Sequence, residues 1–317
     1  MFSVQSVREN GFDKLILKDG SGGCYCELIP SCGASLHAFG VKTNDKNVQV
    51  IDHYESEKQF KEEVEPLGYK SCKLAPFVCR LRDSTYSFEG EKYTIQTNPD
   101  RHALHGLLYK KPFNVENTNA DDQHAVAVLS YHYDNEYPGY PFRFDCIITY
   151  ELKTGNRLRL KTEYVNHSGK AMPVQDGWHP YFTLGKKVDD LELQFHSESK
   201  LIFDDQLMPT GAKVRDDSFD HFSRIGSIHL DNCFVLDENG TQPMCVLRNR
   251  ESRFEVCLFP EPSYPYLQIY TPSHRNSIAI ENLSGPPNAF NLGYGFTTLN
   301  DGQSVSFETA YQISFLN

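Results

Sequence analysis

Long apolar runs are missing from this chain. No stretch approaches the ~20 apolar residues of a membrane span, and the opening MFSVQSVRENGFDKLILKDG has no basic segment leading into an apolar one. A cytoplasmic protein with no membrane partner is expected. Basic residues are in deficit, with 31 Lys+Arg against 42 Asp+Glu and a net charge of -11, which repels phosphate backbones and argues against a nucleic-acid partner. The nine cysteines, Cys24, Cys26, Cys32, Cys72, Cys79, Cys146, Cys233, Cys245 and Cys257, contain no C-x-x-C pair. Buried reduced thiols are expected rather than a disulfide framework or a zinc site. There is no G-x-S-x-G elbow, no G-x-x-x-x-G-K-[ST] phosphate loop and no H-E-x-x-H helix. The GSGG at 20–23 lacks a strand-loop-helix context and reads as a turn.

What is present is alternation. Phe144, Cys146, Ile148, Tyr150 and Leu152 fall on one face of a strand, KTGN turns, and Leu158, Leu160, Thr162 and Tyr164 fall on one face of the next. Similar short runs recur at 125–131, 191–196, 244–248, 254–259, 267–270, 278–281 and 304–308. The one helical candidate, HYESEKQFKEEVE at 53–65, has too few apolar positions for a core helix and reads as a solvated surface turn or two. With 39% hydrophobic and 13% aromatic residues and no linker-like tract, residues 1–317 are expected to form a single all-β domain, a large antiparallel β-sandwich.

Two polar residues stand inside otherwise ordinary strands. In YLQIY, Tyr266, Gln268 and Tyr270 share a face; in SIAIE, Ser277, Ala279 and Glu281 do. The connection TPSHRN is short enough for a hairpin, which would aim Gln268 and Glu281 into one cleft flanked by tyrosines. An isolated glutamate there is more often a solvent-facing charge. A carboxylate, an amide and aromatic faces together are what a sugar requires, because hydroxyls need directional partners and a pyranose has an apolar side. DGWHPYFTL at 176–184 carries the only Trp, and there Trp178 reads as a core anchor and His179 as a structural histidine unless their surroundings say otherwise. Arg80 in LAPFVCRLRD suits a buried ion pair or an oriented hydroxyl or phosphate contact. His102 and His105 have ligand-like spacing, but Pro99, Gly106 and the lack of an obvious third ligand favour a loop without metal.

Taken in order, CRLRDSTYSFEG, LHG, HPYF, LDNCFVL, QIYT and ENLSGPPNAFN resemble the motifs of the aldose 1-epimerase (galactose mutarotase) family, spread from Pro76 to Asn291. The resemblance implies a galactose mutarotase-like supersandwich and interconversion of the α and β anomers of a hexose without cofactor. It places the general base on Glu281, the general acid on His179, and ring-oxygen contacts on His105 and Arg80. Asp231 and Gln268 would bind further hydroxyls, and Trp178 joins the substrate-binding set. Cys79 stands where the family often has asparagine, Leu107 where a second glycine is common, and DGW before His179 where threonine-asparagine is commoner. These departures resemble divergent branches, some acting on hexose 6-phosphates. A hexose-6-phosphate 1-epimerase and a non-catalytic sugar-binding protein are the alternatives, as monomer or homodimer.

Overall fold

The computed structural model describes residues 1–95 and 102–316; Pro99 lies outside the described residues. Antiparallel strands dominate, as the alternation requires. The hairpin expected at 143–165 forms from strands Arg143–Lys153 and Arg157–Asn166, with Leu152 opposite Leu158 and Cys146 opposite Tyr164. Every residue assigned to its apolar face is fully buried. This hairpin lies in a nine-stranded sheet, where Arg157–Asn166 pairs with the long strand Ser304–Phe315 and that strand with Phe254–Pro260.

A second, eight-stranded sheet runs through Ser197–Phe203, Asp231–Leu236, Tyr266–Tyr270, Ile278–Leu283, Gly177–Trp178 and Lys73–Leu74. Alternation gives its two faces different tasks. Leu267, Ile269, Ile278 and Ile280 point to the core they share with Leu258 and Tyr311 of the nine-stranded sheet. The rings of Phe182 and Tyr311 meet edge to face at 5.5 Å across this layer. The opposite face is the one that carries Gln268 and Glu281. A five-stranded meander over Phe2–Gln49 turns Leu15, Leu17, Cys24, Cys26 and Leu28 into the same core. All nine cysteines are buried as free thiols.

The candidate helix at 53–65 condenses to Glu57–Glu63. Ser56 caps it by accepting from the Gln59 amide at 3.2 Å, and a Lys61–Glu57 pair at 2.8 Å supports the exposed side. Its single buried residue, Phe60, anchors a small cluster with Tyr54, Val64, Tyr69 and Cys72. The helix therefore does more than cover solvent-facing surface: the chain leaving it delivers Tyr69 to the cleft. No helix among the described residues is long and apolar enough to cross a membrane.

Candidate active site

Strands Tyr266–Tyr270 and Ile278–Leu283 pair so that Gln268 stands directly opposite Glu281. On the neighbouring strand Cys233 lies opposite Gln268 and Asp231 opposite Tyr270, which puts Asp231 on the same face. Gln268 Nε2 donates to Asp231 Oδ1 at 2.8 Å. Asp231, Gln268, Tyr270 and Glu281, with Arg80, His105 and His179, line a cavity of about 320 Å³. That is at the small end of ordinary ligand sites.

His179 arrives by the same pleat logic. Gly177 and Trp178 pair with Leu283 and Asn282, and Tyr181 pairs with Ala279. Positions 179 and 181 thus share the cleft face, where their rings stack at 5.2 Å and 13°. Trp178 shares the face of Asn282 and is turned the other way. It does not line the cavity but sits 2% exposed in the core, against Tyr150 at 5.7 Å and beneath Lys73 Nζ at 4.1 Å. The expected substrate contact from Trp178 is not made: the pairing that faces Glu281 into the cleft turns Trp178 into the core.

His105 and Cys79 reach the cavity through unusual backbone. Both occupy the left-handed region, at φ 59 and φ 48, and the His105 amide donates to the Cys79 carbonyl at 2.9 Å. Such conformations cost ~1–3 kcal/mol each and persist where surroundings over-determine them. Gly106, at φ 80, supplies one constraint, since a Cβ there would lie 2.1 Å from the Ala75 carbonyl oxygen. His102 goes elsewhere, its Nδ1 accepting from the Asp83 amide at 2.9 Å. Behind Arg80, Asn288 holds two points of the backbone, donating its amide to the Arg80 carbonyl at 2.7 Å and accepting from the Arg82 amide at 3.0 Å.

At the floor, His179 Nε2 lies 3.3 Å from Glu281 Oε1, with the two side chains 5% and 3% exposed. The His105 ring meets His179 edge to face at 4.8 Å, and Tyr69 meets His105 at 4.7 Å. Burial raises the Glu281 carboxyl well above the carboxylate range, the Asp231 charge adds to this, and Arg80 opposes it. Burial likewise lowers His179 to about 4 and His105 well below its ordinary value. Asp231 is raised by burial against the pull of Arg80 and Gln268. Burial thus biases the closed pair toward protonated Glu281 beside neutral imidazole. That form holds one proton, as does its tautomer, the carboxylate–imidazolium pair, so a single transfer across the contact converts an acid–base arrangement into its mirror. Glu281 Oε2, Gln268 Oε1 and the Nδ1 atoms of both histidines are buried without a hydrogen-bond partner among the described residues. Orphaned polar atoms lining a cavity are poised for a polar ligand.

Sequence reasoning passed over Tyr69, Tyr181 and Cys79 as cavity residues, and also Glu65 and Leu104. Tyr181 was within reach, two positions beyond His179 in HPYF; Tyr69 carries no local signal. Also unforeseen is a buried ion pair beneath the site, Lys73 with Asp176, both 0% exposed. Asp176 additionally accepts from the Tyr164 hydroxyl at 2.6 Å and from Tyr264.

Fold and cleft together define an antiparallel β-sandwich protein with a small, buried cavity lined by polar and aromatic side chains. A profile of the aldose 1-epimerase family matches residues 17–312. The chain is 26% identical over 251 residues to the uncharacterised protein YihR of Escherichia coli, covering 77% of this chain and 79% of that one. It is 26% identical over 271 residues to an aldose 1-epimerase of Streptococcus thermophilus, covering 74% and 76%. A galactose mutarotase-like protein of Clostridium acetobutylicum superposes with a TM-score of 0.88 at 18% identity, over 99% of both chains. The protein belongs to the aldose 1-epimerase family, isomerases acting on carbohydrates, and has the galactose mutarotase-like fold.

Proposed function

We propose that the protein is a mutarotase that interconverts the α and β anomers of a free hexose, with Glu281 and His179 as the proton-transferring pair. The observation that carries this reading is the 3.3 Å contact between His179 Nε2 and Glu281 Oε1 at the base of a cleft lined by hydroxyl-binding groups. Opening the ring removes the proton of the C1 hydroxyl and adds one to the ring oxygen. In the carboxylate–imidazolium form, Glu281 accepts the first proton and His179 supplies the second. The products of this step are protonated Glu281 and neutral His179, the form that burial favours. After rotation about C1–C2, the same two groups reverse roles and close the ring on the other face. Each transfer is worth ~10²- to 10⁴-fold.

Arg80 and His105 are placed to orient the ring oxygen and adjoining hydroxyls, while Asp231 and Gln268, already hydrogen-bonded to each other, hold further hydroxyls. Tyr69, Tyr181 and Tyr270 offer flat surfaces to the apolar side of the sugar. The charge of the lining favours an uncharged substrate over a hexose 6-phosphate. Among the described lining residues, Arg80 is the one permanent cation, set against the carboxyls of Glu65, Asp231 and Glu281. Polarimetry of freshly dissolved α-galactose and α-glucose tests the reading: accelerated decay of rotation is expected, and binding without acceleration would make the protein a sugar-binding module instead.

A further inference from the structure

The cleft contains a second constellation, in which Cys79, a group that ring opening does not use, joins two that it does. Cys79, His105 and Glu281 are all buried, and they can each present one ligand atom, all within 4.8 Å of one another. They come from three separate places: the loop before Arg80, the left-handed turn at His105–Gly106 and the strand Ile278–Leu283. His105 and Glu281 are 8% and 2% exposed, and each has a buried polar atom without a hydrogen-bond partner among the described residues. Cys79 packs in an apolar cluster with Leu74, Val78, Cys233 and Leu283.

We propose that Cys79, His105 and Glu281 form a binding site for a thiophilic divalent cation such as Zn²⁺, and that its occupation switches the cleft off. The donor set selects the metal. One sulfur, one imidazole nitrogen and one carboxylate oxygen suit Zn²⁺ or Co²⁺, whereas Mg²⁺ and Ca²⁺ require oxygen ligands. Ligand bonds of about 2.0–2.3 Å put tetrahedral neighbours roughly 3.5 Å apart, so the three groups need to close in by about 1 Å. Three protein ligands leave the fourth position facing the cavity, open to water or a sugar hydroxyl. Binding displaces the Cys79 thiol proton, and the proton on Glu281 where it is present, to solvent.

The binding site rests on this geometry alone; its inhibitory effect rests on Glu281 being the base. Cobalt titration of the intact protein, followed by absorption, separates the two. One equivalent of Co²⁺ is expected to produce a thiolate-to-metal charge-transfer band with tetrahedral d–d bands, both lost in Cys79→Ser. Glu281→Gln and His105→Gln should weaken Co²⁺ binding by more than the ~10–100-fold typical of outer-shell changes. Zn²⁺ should displace the cobalt and stop mutarotation, and a chelator should restore it. Absence of the band, or its persistence in Cys79→Ser, overturns the site. A band that depends on Cys79 in a protein whose mutarotation is undiminished by saturating Zn²⁺ upholds the site and removes Glu281 from catalysis.

Discussion

Replacing Glu281 by glutamine changes two measurable properties in opposite directions. The side chain keeps its shape but can no longer exchange a proton with His179 Nε2 across 3.3 Å. Loss of a general base costs ~10²- to 10⁴-fold, or about 3–5 kcal/mol of transition-state stabilisation. Stability should move the other way. Burial raises the Glu281 carboxyl well above its ordinary value, so the folded state keeps a proton at pH values where the unfolded chain has lost it. A raised acid contributes stability that is full below the unfolded value, about 4.3, and drains away as pH rises toward the folded one. Glutamine has no such dependence. Relative to wild type, Glu281→Gln should therefore be similar in Tm near pH 4 and more stable as pH rises to neutrality. Polarimetry and thermal scans across this range provide both readings. Catalysis within tenfold of wild type, or a Tm advantage that does not grow with pH, would refute the reasoning.

Asp231→Asn should raise KM more than it lowers kcat in progress curves with varied hexose, because the proposed role of Asp231, with Gln268, is to hold hydroxyls rather than to move protons. Burial depresses His179 to about 4, so its contribution to stability is present above the unfolded value near 6.5 and is lost as pH falls toward 4. His179→Gln should accordingly flatten the acid limb of a Tm–pH curve as well as slowing mutarotation. Lys73→Met strands the fully buried Asp176 carboxylate and should cost ~3–5 kcal/mol, which thermal unfolding reads directly. Gly106→Ala forces a Cβ to within 2.1 Å of the Ala75 carbonyl oxygen, so it should displace the His105 turn and lower activity and Tm together.

How much of this was legible in the sequence depends on the range over which each feature is specified. Alternation is local, so the 143–165 hairpin and the shared face of Gln268 and Glu281 follow from two-residue periodicity and a short connection. The placement of His105 and Arg80 came only through family resemblance, because a left-handed turn braced against Ala75 leaves a single glycine as its trace. The Lys73–Asp176 pair spans more than a hundred residues and left none.

The misplacement of Trp178 and the placement of His179 share one cause. In DGWHPYF either alternate set could face the cleft, and nothing local chooses between Trp178 with Pro180 and His179 with Tyr181. The choice is made by partners about a hundred residues away: Gly177 opposite Leu283 and Trp178 opposite Asn282 fix the pleat. Once Glu281 faces the cavity, its neighbour Asn282 faces the core, and Trp178 beside it must do the same. His179 then has one direction left. A one-residue slip between these strands would turn the indole into the cavity and bury the imidazole away from Glu281, so the short pairing at Gly177–Trp178 sets the geometry of the His179–Glu281 contact.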